Sequence, residues 1–278
     1  MSASTSLVTG ANSGIGLATC EALAARGHRV LMLCRSRERG REAQRTIVER
    51  TGSSAVELIL CDLSSQTQIR ETAERLLRER DRLELLVNNA AVFSHTRKLT
   101  EDGIELQLAV NHLAPFLLTR LLRPLLVTGA PARVVTVSSD AHRHGRLDWD
   151  DLQGETGYFG LRAYANSKLC NVLFTRELAR RLDPEQVAAH AAHPGLTGTR
   201  LLYSGWRPLR LLKPLLPSPE TGARPVVHAA TSPEIAGRSG LYFRKGGEGT
   251  PAPRALDEEA ARRLWRISEQ LTGLEPEG

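Results

Sequence analysis

Tyr164 and Lys168 stand four residues apart in the stretch AYANSK, residues 163–168. On a helix that spacing stacks both side chains on one face, one turn from each other. A phenol with a reference pKa of about 10 exchanges protons poorly at neutral pH. A neighbouring ammonium favours the phenolate and brings the proton within working range. The pair is therefore a candidate acid–base centre for chemistry at an alcohol or carbonyl oxygen. Chance also produces this spacing, so its meaning depends on what the rest of the chain supplies.

A second candidate lies near the N-terminus. Gly10, Gly14 and Gly16 are spaced G-x-x-x-G-x-G between a β-branched run, SLVT at 6–9, and an apolar helical pattern. Glycines let backbone approach a pyrophosphate, and a following helix offers free N–H groups and the positive end of its dipole. Such a turn after a first strand points to a dinucleotide. A carboxylate ending the second strand would bond the adenine ribose of NAD. Arg35 stands there instead, placed to meet the extra phosphate of NADP, with Ser36 and Arg37 beside it. Asp62 ends the third strand, where it is expected to accept from the adenine amino group or to serve a turn. Asn88, Asn89 and Ala90 end the fourth, where small polar groups pass close to a cofactor.

The elements that must position these residues follow from periodicity. A continuous apolar run of strand length appears at 29–34, and further strands are expected at 56–63, 83–90, 132–139 and 186–195, with a last one at 239–243. Helical patterns separate them, including a long helix expected over 102–127 and a terminal one over 257–271. Strands alternating with helices of that length imply a parallel sheet covered on both faces. The expected fold is α/β: one single-domain Rossmann fold, residues 1–278, with a seven-stranded parallel sheet. No stretch reaches the roughly 18 to 20 apolar residues that span a bilayer, and the N-terminus lacks a signal-peptide pattern. A cytoplasmic protein is expected. Lys98, Lys168, Lys213 and Lys245 are the only lysines among 37 basic residues. That arginine bias reads as solvated helix faces rather than a nucleic-acid footprint. Cys20, Cys34, Cys61 and Cys170 are scattered singly, so reduced buried thiols are expected and no metal site.

Taken in order, TGANSGIG at 9–16, DL at 62–63, NNAA at 88–91 and Asn111 match a known pattern. It continues through SS at 138–139, YANSK at 164–168 and HPG at 193–195. The chain resembles the short-chain dehydrogenase/reductase family from end to end. NHLAPFLLT, AYANSKLCNVLFTRELARRL and SPETGA…SGLYF carry a closer likeness to the branch of retinol dehydrogenases and the WW-domain oxidoreductase. Ala91 stands where the family pattern has glycine.

The resemblance implies catalysis by Ser139, Tyr164, Lys168 and Asn111. Ser139 would contact the substrate oxygen, and Asn111 would hold a water that relays protons to Lys168. It places Gly10, Asn12, Ser13, Gly14, Ile15, Gly16, Arg35, Asp62, Leu63, Asn89, Ala90, Tyr164 and Lys168 on the cofactor. Pro194, Gly195 and Thr197 join them beside the nicotinamide. NADP(H) is expected over NAD(H), and dimers or tetramers are usual in the family.

The Leu-rich stretch 196–219, with Trp206 and three prolines, reads as a lid over an apolar pocket, a subunit contact or a membrane-resting patch. A lid implies a lipophilic aldehyde, ketone or alcohol as substrate. His193 is expected to be structural, and His142 and His144 to be solvated or to pack their loop. Two other classes remain open: a non-catalytic NADP-binding redox sensor, and an epimerase or dehydratase of the extended family.

Overall fold

The structure, a computed structural model, describes residues 3–195, 217–245 and 247–276. The chain opens with β1 (Thr5–Thr9), α1 (Gly14–Ala24), β2 (Arg29–Cys34), α2 (Arg37–Thr51), β3 (Val56–Leu60), α3 (Gln66–Glu79) and β4 (Leu85–Asn88). Helix α4 (Leu106–Leu108), a π-helical turn (Ala109–Leu113), α5 (Ala114–Leu121) and α6 (Arg123–Thr128) lead to β5 (Ala132–Val137). A 3-10 turn (Asp140–His144) precedes α7 (Gly160–Arg181) and β6 (Val187–His193). After the undescribed stretch come α8 (Pro219–Thr231), β7 (Tyr242–Arg244), β8 (Gly247–Gly249) and α9 (Glu258–Thr272).

The strands form one sheet in the order β3-β2-β1-β4-β5-β6-β7-β8. Seven are parallel, as expected, and β8 adds an antiparallel edge against β7. Gly-Glu-Gly has no side-chain alternation to announce a strand, so this eighth strand was silent in sequence. The chain winds outward from β1 to β3, then returns to lay β4 against the other side of β1. That reversal opens a crevice at the carboxyl ends of β1 and β4, the place where open α/β sheets hold ligands.

Every residue of β1 is buried because each face has its own core. Leu7, Leu31 and Ile59 pack toward Phe116, Phe174 and Trp265 on one side. Val8, Val30 and Met32 pack toward Cys20, Leu23, Ile47 and Val226 on the other.

The expected long helix over 102–127 is instead broken into α4, the π turn, α5 and α6. Pro115 and Pro124 have no N–H, so the carbonyls of Asn111 and Arg120 lose their ordinary helical donors. The leucine period runs straight through both breaks, which is why the pattern read as one helix. Among the described residues no helix is long and apolar enough to cross a membrane.

Candidate active site

The glycine turn begins where β1 ends. Gly10 and Gly14 sit at φ +64° and +56°, in the left-handed region that glycine occupies without strain. At Gly16 the constraint is space. A Cβ there would lie 2.3 Å from the Gly10 carbonyl oxygen and 2.5 Å from Asn89 Nδ2. Asn89 Nδ2 donates to the Thr9 carbonyl at 2.8 Å, while Thr9 Oγ1 accepts from the Asn89 and Ala90 N–H groups at 2.9 and 3.0 Å. The ends of β1 and β4 are thus laced together, with Ala90 Cα against Gly10. Thr9 was not singled out in sequence, since its role depends on which strand lies beside β1.

Ser13 is the N-cap of α1, yet its side chain makes no capping bond. The first-turn N–H groups of α1 are therefore left without a side-chain cap. A backbone cradle closed to any Cβ, facing an uncapped helix start, suits a pyrophosphate. The residues present fit the dinucleotide that the sequence implies.

Arg35 leaves the end of β2 exposed and points to Asp62, with Nη1 3.7 Å from Oδ2. Asp62 Oδ1 also accepts from the Ser64 N–H and hydroxyl, and Leu63 beside it is buried. The structure therefore brings both sequence candidates for the adenosine end to one spot. Ser36, next to Arg35, caps α2 by accepting from the Arg39 N–H.

The second half of the site joins the end of β5 to α7. Lys168 is only 2% exposed, and its ammonium donates to the Val137 carbonyl at 3.1 Å. Asn171 Nδ2 shares that carbonyl at 3.2 Å, and Ser138 Oγ donates to the Lys168 carbonyl at 2.9 Å. These three bonds fix the face of α7 that carries the pair. Lys168 Nζ stands 5.7 Å from the Tyr164 ring centroid, and Phe93 meets that ring edge-on at 5.9 Å.

Burial pushes the Tyr164 phenol up to about 12, against a hydrogen bond from Ser139 that lowers it. Burial pulls Lys168 down to about 8. Sequence reasoning gave the lowering of the phenol to the ammonium. Here the ammonium donates to the Val137 carbonyl while lying 5.7 Å from the ring centroid, and a hydrogen bond from Ser139 acts on the phenol in the same downward direction.

Ser139 caps the 3-10 turn, with Oγ accepting from the Ala141 N–H at 3.2 Å. Its own proton is the one directed at the Tyr164 oxygen. Asn111, in the π turn, is wholly buried and clamps a neighbouring backbone. Its Oδ1 accepts from the Val92 N–H at 2.7 Å, and its Nδ2 donates to the Val92 carbonyl and to Ser167 Oγ at 3.0 Å each. Ser167 in turn donates to the Tyr164 carbonyl. One lone pair of Oδ1 is left for a further donor.

Pro194 and Gly195 follow β6, with Gly195 at φ +81°. Thr197 and nearly all of the Leu-rich stretch lie outside the described residues. His193 is held against Asp140, with Nδ1 accepting its N–H and Nε2 3.2 Å from Oδ2. His142, expected to pack or solvate its loop, is fully buried, while His144 is exposed.

The family model described as short chain dehydrogenase matches residues 4–207. Human retinol dehydrogenase 14 is 43% identical over 99% of this chain and 88% of its own length. A crystal structure from Mycobacterium paratuberculosis superposes with a TM-score of 0.80 at 35% identity, covering 98% of this chain and 94% of that one. The Pseudomonas aeruginosa RhlG/NADP active-site complex superposes at 0.70 with 25% identity, covering 89% and 96% of the two chains.

Proposed function

The chain belongs to the short chain dehydrogenase family, and from that premise we propose an NADP(H)-dependent oxidoreductase acting on an apolar carbonyl or alcohol. The observation that carries the reading is the Tyr164–Lys168 face of α7, with Lys168 buried and bonded to β5 beside Ser139. When bound, the nicotinamide supplies or accepts the hydride. Everything else is done by the protein. Tyr164 gives its phenolic proton to the substrate oxygen in reduction and takes it back in oxidation. Ser139 donates to the same oxygen and steadies its developing negative charge. Lys168 holds a positive charge 5.7 Å from the Tyr164 ring centroid and would hold the nicotinamide ribose. Asn111 positions the Val92 backbone and Ser167, and its spare lone pair suits the relay water.

The Gly10–Gly16 turn and the open start of α1 would hold the pyrophosphate, with Asn89 and Ala90 shaping the other wall. Arg35 would meet the adenosine phosphate of NADP, and Asp62 and Leu63 the adenine. Pro194, Gly195 and Thr197 are assigned to the nicotinamide end. An apolar substrate is supported by apolar side chains at the start of the helix that carries the phenol and against its ring. Phe159 and Leu161 are 60% and 57% exposed at the start of α7, and Phe93 packs on Tyr164. The likeness to a retinol dehydrogenase points the same way.

A panel of carbonyls and alcohols run with NADP(H) and NAD(H) tests the reading. Apolar compounds should turn over with NADP(H), and Arg35→Ser should lower that preference by about tenfold, the loss of one charge-assisted phosphate contact. Turnover with NAD(H) alone, or only of small polar carbonyls, would overturn the assignment. Product formed without net cofactor oxidation would indicate an epimerase instead.

A further inference from the structure

His142 is fully buried two residues beyond the proposed catalytic serine's neighbour Asp140, and both ring nitrogens are engaged. Its backbone N–H donates to the Ser139 carbonyl at 3.0 Å. Nδ1 lies 2.6 Å from the same carbonyl, and Nε2 accepts from the Ala252 N–H at 2.9 Å. A carbonyl accepts only and a backbone N–H donates only, so the ring must be neutral with its proton on Nδ1. The Ser139 carbonyl thus receives two bonds from one residue. The imidazole bridges it to the segment that follows β8.

That segment is braced against the same turn at two further points. Arg143 Nη2 donates to the Thr250 carbonyl at 2.7 Å, and Arg254 Nη1 to the Gly145 carbonyl at 3.5 Å. The Tyr242 ring lies 5.3 Å from the imidazole. Charges facing it are Arg143, Asp140 and Arg244, with His193 beyond. These contacts make residues 250–254 the outer wall of the Ser139 turn.

We propose that His142 is a positioning residue: by gripping the Ser139 carbonyl from a ring anchored on Ala252, it sets the direction in which the Ser139 hydroxyl donates. This rests on the catalytic role assigned to Ser139 above. The serine hydroxyl is fixed at its acceptor side only by the Ala141 N–H of the same short turn. Rotation of the Ser139 peptide would swing the hydroxyl away from Tyr164. A phenol deprived of that bond holds its proton more tightly.

Two substitutions separate the two bonds of the ring. In His142→Asn the amide nitrogen takes the place of Nδ1, which keeps the donor to Ser139 and loses the acceptor for Ala252. In His142→Gln the amide oxygen reaches the place of Nε2, which keeps Ala252 and loses the donor to Ser139. Both variants should lower the thermal midpoint. The alkaline-rising limb of alcohol oxidation, which reports release of the Tyr164 proton, reads the difference. His142→Gln should move that limb upward by roughly half a pH unit or more and lower kcat by about tenfold. His142→Asn, which keeps the donor to Ser139 and loses only its anchor, should move the limb by clearly less than His142→Gln does. The proposal is overturned if both limbs stay at the wild-type pH, or if both move together in step with lost stability. An unmodified enzyme that turns over nothing would defeat the catalytic reading itself, a separate outcome.

Discussion

At the scale of single residues, the site depends on where side chains are forbidden as much as on where they act. Gly16→Ala would drive a methyl into the Gly10 carbonyl and the Asn89 amide. Backbone cannot yield cheaply there, so about 1–3 kcal/mol of stability should be lost along with most cofactor affinity. Gly247→Ala, which meets nothing within 4 Å, is the control. A fluorescence titration giving equal cofactor affinity for both variants would contradict the role of the turn. The glycine spacing and the Tyr164–Lys168 interval were legible in sequence because each is local. Thr9, Ser138 and Asn171 were not. Their partners are Asn89, Lys168 and Val137, which reach them only once β1 meets β4 and α7 meets β5. Lys168 shows the same limit. Spacing placed it beside Tyr164 but gave no sign that the end of β5 would claim its ammonium.

At the scale of elements, the π turn carries most of what the sequence concealed. Strands such as RVLMLC were legible because burial on two faces leaves an uninterrupted apolar run. The helix over 102–127 was read as continuous because its leucines keep a helical period through Pro115 and Pro124. The break matters to the site, since it presents Asn111 to the chain leaving β4. Asn111→Leu removes bonds to the Val92 N–H, the Val92 carbonyl and Ser167 at once. It also buries their unpaired partners, so about 2–4 kcal/mol should be lost in a urea titration, with a fall in turnover. A loss below about 0.5 kcal/mol would show that Asn111 does not clamp the turn. His142 belongs to this scale as well. Its bond to Ala252 crosses 110 residues of chain, a distance no local pattern encodes.

At the scale of the whole molecule, buried histidines set a pH limit on stability. Burial holds His112 down to about 3 and His190 to about 4, and lowers His142 and His193 as well. The unfolded chain takes these protons near pH 6.5, while the folded chain refuses them until well below. Stability is therefore full above about pH 6.5 and is lost as the pH falls toward the folded values, by up to about 2 kcal/mol per fully buried histidine at about pH 5. Chemical denaturation at about pH 7.5 and about pH 5 checks the sign, and a midpoint unchanged or raised in acid would contradict it. The central claim concerns the proton carried by one phenol, and Tyr164→Phe tests it with the fold left in place. Cofactor affinity and hydride transfer should be followed together through nicotinamide absorbance and fluorescence. The account predicts turnover lowered by about a hundred- to ten-thousand-fold with cofactor affinity kept. Turnover within about threefold of the wild type would contradict it, because a proton donor worth so little is not the catalytic acid.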